Sequence, residues 1–173
     1  MELLISRIVS RIRSEMPSLL TVDEDYGQLD ALLKDDVDQY PLTFPAVLID
    51  GPETEWSHTA SGTQRGVGRL RVRLIIDCYD DTHYGSEPEE RIMERAAMAD
   101  TLHYALQRFR PLDDGELMRE KSSFFTFSHG IKVYESFYTV ALTDIPPQET
   151  VSVAPPAVRL AVRPAAEASR EIR

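Results

Sequence analysis

One stretch constrains this chain more than any other: Gly68-Arg69-Leu70-Arg71-Val72-Arg73-Leu74-Ile75-Ile76-Asp77-Cys78-Tyr79. In an extended backbone Leu70, Val72, Leu74, Ile76 and Cys78 point one way, and Arg69, Arg71, Arg73, Ile75 and Asp77 point the other. One face therefore belongs to a core. The opposite face reads as an arginine row that turns apolar at Ile75. A first strand, Phe44-Pro45-Ala46-Val47-Leu48-Ile49, precedes it, and Pro45 near its start hints at an edge position. Two more strands are predicted near 122–127 and 131–142, joined tightly through Ser128-His129-Gly130. The last is rich in Val133, Tyr134, Phe137, Tyr138 and Val140, so both its faces should be covered, one by a helix and one by a neighbouring subunit or second layer.

Two principal helices accompany these strands. Leu4, Ile5, Ile8, Val9, Ile12 and Met16 recur at helical spacing over residues 2–16, and Pro17 ends the run. Ser86-Glu87-Pro88-Glu89 reads as a capping box, after which Ile92, Ala96, Ala99, His103 and Leu106 make a stripe that should lie across the sheet and stop before Pro111. Residues 17–43 read as mostly irregular and acidic, with one or two helical turns over 28–34. Residues 50–66 read as a long polar hairpin arm, in which Glu55-Trp56-Ser57 continue the first strand after a bulge. The expected fold class is α+β: a mainly antiparallel sheet of about four strands with two principal helices, a protruding arm and an extended C-terminal tail. The domain spans 1–145. A Pro/Ala-rich tail spans 146–173, too poor in large apolar groups for a compact fold. Val151-Ser152-Val153 and Ala157-Val158-Arg159-Leu160-Ala161-Val162 can still add as short strands. Another protein chain is expected to receive them as an arm, with packing on the same domain as the alternative.

Composition narrows the function. At 173 residues, 42% apolar and 28% charged, the chain can build one domain with a real core. No apolar run approaches the roughly 18–20 residues of a membrane span, and the N-terminus lacks the pattern of a secretory signal. A net charge of −10 opposes binding nucleic acid by its phosphates, although DNA could pass along an acidic wall. The charge is uneven. Asp23, Glu24, Asp25, Asp30, Asp35, Asp36 and Asp38 stand against Lys34 alone, whereas Arg159, Arg163, Arg170 and Arg173 outnumber Glu167 and Glu171 in the tail. An acidic loop and a basic tail can meet between neighbouring copies.

Candidate chemistry is sparse. Asp77-Cys78-Tyr79-Asp80-Asp81-Thr82-His83 gathers a thiol, three carboxylates and an imidazole, but the spacing fits no metal or nucleophile pattern and Cys78 should face inward. His58, His103 and His129 share no spacing. Gly62, Gly66 and Gly68 lack the Lys-Ser/Thr and the following helix of a phosphate loop, and read as arm flexibility. No catalytic, metal-binding or cofactor-binding residue is expected, and no cofactor. The best surface features are Arg65, Arg69, Arg71 and Arg73. With Trp56, Asp35, Asp36, Asp38, Arg159 and Arg163 they form the candidate contact set.

The order of these segments resembles the tail-terminator, or tail-completion, proteins of long-tailed bacteriophages and related contractile injection particles. The resemblance covers residues 1–145 and rests on layout and on segments such as Phe44-Pro45-Ala46-Val47 and Val72-Arg73-Leu74-Ile75-Ile76-Asp77. It implies a non-enzymatic ring of copies of this chain, usually six, that caps the tail tube, stops its growth and offers a surface to a neck or head-completion protein. It also implies a place in the tail-neck region of a virion assembled in a bacterial cytoplasm. The implied partners are the tail-tube protein, the neck, sheath in a contractile particle, and DNA only as cargo in the lumen; no membrane is involved. A head–tail joining or neck adaptor of the same particle is the alternative, and a small enzyme using Cys78 and His83 is a third class.

Overall fold

A computed structural model describes residues 1–34, 42–59, 62–78, 89–128 and 130–147. The long strand is its spine. Strand β4 (Gln64–Asp77) pairs antiparallel along its whole length with β6 (Ile131–Asp144), from Gln64↔Asp144 to Asp77↔Ile131. The other edge of β4 is shared end to end. Strand β2 (Ala46–Ile49) pairs with residues 72–75, and β3 (Glu53–His58) with residues 64–69. Strand β1 (Thr21–Glu24) adds outside β2, and β5 (Met118–Phe127) adds outside β6.

The mixed α and β content and the mostly antiparallel sheet match the expected class, but among the described residues the sheet has six strands, not about four. The two additions are β1 and β3. Strand β1 is Thr-Val-Asp-Glu with only Val22 buried, so it carries almost no strand signal of its own. It exists because β2 offers it a parallel edge, Val22 opposite Val47. That pairing also corrects the reading of Pro45. Strand β2 lies between β1 and β4 with all four residues buried, and the proline simply precedes it, after a cis Phe44–Pro45 bond. The arm is the outer margin of the sheet. Where β3 pairs with one side of β4, β6 pairs with the other.

Helix α1 (Glu2–Glu15) buries Leu4, Ile5, Ile8 and Ile12, and ends where Met16 leaves helical geometry before Pro17. Its stripe packs with Leu102 and Leu106 of α3 (Glu89–Leu106) against Val47, Ile49, Leu70, Val72, Leu74, Tyr138 and Val140. Each such aliphatic side chain taken fully out of water contributes about 1.5–3 kcal/mol before entropy is counted. Arg11 reaches from α1 to the Ala105 carbonyl at 3.2 Å, in the last turn of α3 where carbonyls lack helical partners, and its guanidinium lies over Phe109. Short helix α2 (Gln28–Ala31) covers one end of the opposite sheet face, where Leu29, Ala46, Leu48, Ile75, Ile131 and Val133 form a second, smaller core.

The stripe predicted for α3 holds only at its C-terminal end. Leu102, Ala105 and Leu106 are buried, whereas Ile92, Met93 and Ala96 are exposed. Helical spacing identifies a face but not how far the sheet beneath it extends. The Ser86 cap and the connection before it lie outside the described residues.

Candidate functional site

The arginine row divides in two. Arg65 is exposed, and the Arg69 side chain is 63% exposed with Glu120 no closer than 3.9 Å. Both remain available as contact residues. Arg73 does not: it is 8% exposed and bonded to Asp25, whose side chain is 4% exposed. Arg71 lies between, half-buried, 2.7 Å from Asp50, 3.7 Å from Asp25 and 3.8 Å from Glu135. The expected solvent-facing row is thus corrected at Arg71 and Arg73.

The cause is β1. By pairing with β2 it carries Asp25 to the end of the sheet, where the Asp25 N–H bonds the Ile49 carbonyl at 2.8 Å. The carboxylate then lies under the two guanidiniums. A buried charge survives only with a partner. Burial lowers the Arg73 pKa, and the Glu135 charge opposite it in β6 partly restores it. Among the described residues Arg71 Nε and Arg73 Nε are buried without a hydrogen-bond partner, so there the cluster binds through the ends of the guanidiniums.

The arm has a packed inner surface. Trp56 is opposite Gly66, and Thr54 opposite Gly68. A Cβ on Gly66 would stand 2.8 Å from Thr54 Cγ2 and 3.0 Å from Trp56 Cε3, and one on Gly68 would stand 3.0 Å from Leu142 Cδ1. These glycines permit close approach, which corrects their reading as flexibility. Of Gly62, Gly66 and Gly68, Gly62 alone, with φ of 76°, uses the left-handed region. The turn is closed by Thr59, whose N–H and hydroxyl both reach the Thr63 carbonyl at 2.8 Å. Trp56 keeps part of its ring in solvent, as a contact residue requires.

The feature that sequence reasoning missed is the exposed outer edge of β5, a strand expected over 122–127. The strand begins at Met118, four residues before the predicted start, and nine of its ten residues are exposed. Among the described residues no strand pairs with its outer edge. Phe124 is 67% exposed and stacks on Tyr134 with ring centroids 5.8 Å apart, while Phe125 is exposed on the opposite face. Two consecutive phenylalanines in a strand must lie on different faces, so this exposure was legible in principle. A cleft of about 280 Å³ opens beside Phe124, between α3 and the sheet, lined by Leu74, Ala99, His103, Phe124, Tyr134 and Tyr138 among others. His103 Nδ1 and the Tyr138 hydroxyl lie 3.2 Å apart within it. Desolvation and the nearby Arg119 charge lower the His103 pKa, against Asp100. Desolvation pushes the Tyr138 phenol up to about 12.

Cys78 is half-buried against the main core, as its place in the alternation predicts. Asp77 beside it is exposed, and Tyr79 to His83 lie outside the described residues. His58 is exposed on β3 with its Nδ1 3.3 Å from the Gln64 amide. No group of three His, Cys, Asp or Glu among the described residues is placed to hold a metal ion. His129, Asp35, Asp36, Asp38, Arg159 and Arg163 also lie outside them. A scan against protein-family models matches none of them to this chain, and a search of curated proteins gives no match.

Proposed function

We propose that the chain is a structural protein that closes with copies of itself into a ring, and that the ring terminates a phage-type tail tube and receives the neck. The observation that carries this reading is the sheet, whose inner face is covered while its two margins stay exposed. Strand β3, with Trp56 and the neighbouring Arg65 and Arg69, forms one margin. Strand β5, with Phe124 and Phe125, forms the other. Two different contact surfaces at opposite margins are what a head-to-tail contact needs, and a rotation that closes turns that contact into a ring. Exposed aromatic groups of this kind supply interface energy that a purely polar surface does not. The resemblance of the order of sequence segments to tail-terminator proteins supports the same reading and implies the tail-tube protein as the partner.

Native mass spectrometry of the purified chain, alone and with tail-tube protein, tests this. A closed ring that binds tube ends in electron micrographs and fixes tube length supports it. A ring seated at the head vertex and absent from tube ends assigns the neck-adaptor role instead. A chain that stays monomeric at high concentration and never joins a tube refutes both.

A further inference from the structure

We propose that the outer edge of β5 is the acceptor for a strand donated by a neighbouring copy, and that the donor is Ala157-Val158-Arg159-Leu160-Ala161-Val162-Arg163. The inference rests on the ring reading for the identity of the donor copy. The acceptor itself is read from the fold.

Natural sheets guard their edges with charge and bulges, and β5 is guarded over only half its length. Its first half carries Arg119, Glu120 and Lys121 and a register break between Arg119 and Lys121. Its second half, Ser122-Ser123-Phe124-Phe125-Thr126-Phe127, carries no charge and pairs regularly with β6. Six residues of strand offer about 20 Å of unpaired main chain, enough to seat one short strand. Beside that stretch, on the α3 side, lies the mainly apolar cleft that Phe124 helps to line, with Asp100 and Arg119 also in its wall.

The chain contains a segment of matching length and pattern. In extended form Val158, Leu160 and Val162 lie on one side and Arg159, Ala161 and Arg163 on the other. Added to β5, the branched row covers Phe124 and the cleft, and the arginines fall on the open face near Phe125, where no charge is buried. The nine residues 148–156 after the last described position span up to about 30 Å, ample to leave the sheet and reach a neighbour. Delivery within one copy is disfavoured. The route from the end of β6 to β5 passes the 107–117 connection, which is pinned by Arg108 N–H to the Leu117 carbonyl and by Arg110 to Glu116. It would also set the segment parallel to β5, whereas a neighbour can set it antiparallel, with straighter hydrogen bonds.

The test uses the full chain with p-benzoylphenylalanine in place of Phe124, mixed with unsubstituted ¹⁵N-labelled chain and irradiated. The expected product joins position 124 to a ¹⁵N peptide from 157–163. Products only within one copy, only to the β5 of another copy, or to no peptide of 148–173 overturn the proposal. A second measurement compares amide exchange in the parent and in Leu160→Asp. Residues 122–127 should exchange at least about tenfold faster in the variant while β4 is unchanged. Equal rates overturn the proposal. Native mass spectra of the same samples separate the two readings. Closed rings without the cross-link sink strand donation alone, and the cross-link in open assemblies without rings sinks the ring alone.

Discussion

The Asp25–Arg73 pair makes the most demanding prediction about this fold. Asp25→Leu leaves the Arg73 guanidinium buried with only the Glu135 charge across the strand pair. Removing one partner of a buried ion pair costs about 3–5 kcal/mol, a large share of the roughly 5–15 kcal/mol that holds a domain together. Arg73→Met should cost less, about 1.5–3 kcal/mol, because Asp25 keeps Arg71 at 3.7 Å. The double variant replaces both charges with apolar groups and removes the buried Arg73 Nε, which has no partner among the described residues. It should return to within about 1 kcal/mol of the parent, since hydrophobic substitutes for buried pairs are commonly neutral. The cycle then yields a coupling energy of at least about 3.5 kcal/mol. Urea unfolding followed by far-ultraviolet circular dichroism reads these values, with Asp25→Leu lowering the midpoint by about 1–3 M at unchanged slope. A coupling below about 0.5 kcal/mol, or a double variant as unstable as Asp25→Leu, refutes the claim that this pair is buried and mutually dependent.

Three further outcomes are expected. Gly66→Ala drives a methyl into Thr54 and Trp56; it should cost about 1–3 kcal/mol and shift Trp56 fluorescence, and an unchanged spectrum with parental stability contradicts the packed arm. The Tyr138 phenol keeps its proton to about pH 12 in the fold, whereas the unfolded chain releases it near pH 10. The unfolded state therefore binds fewer protons in that window, and stability falls between pH 10 and 12 by at most ~3 kcal/mol. Tyr138→Phe should flatten that limb of the pH profile in urea titrations, at a cost of about 0.5–1.5 kcal/mol near neutrality for the lost His103 contact. Arg65→Glu with Arg69→Glu touches only exposed side chains, so unfolding should move by no more than about 0.5 kcal/mol per site while assembly on size-exclusion chromatography is lost. Assembly at parental level removes these two arginines from the proposed contacts. Arg73→Glu cannot serve that purpose, because it would break the fold.

Local pattern carried the long strand, the first helix and the β5–β6 pair, because each writes its periodicity in neighbouring residues. Leu70 to Cys78 alternate, Leu4 to Met16 repeat at helical spacing, and Pro17 stops the helix whatever surrounds it. Tertiary structure decided what depends on residues far apart in the chain. Strand β1 forms because β2 lies beside it, not because Thr21 to Glu24 favour a strand. Arg73 and Arg69 look alike in sequence, yet one is sealed against Asp25, 48 positions away, and the other reaches solvent. Gly66 looks like a hinge until Trp56 is folded over it. Periodicity tells which side of a strand a residue occupies. Only the arrangement of the other strands and helices tells whether that side is covered, and with it which charges are spent inside the fold and which edges remain open to a partner.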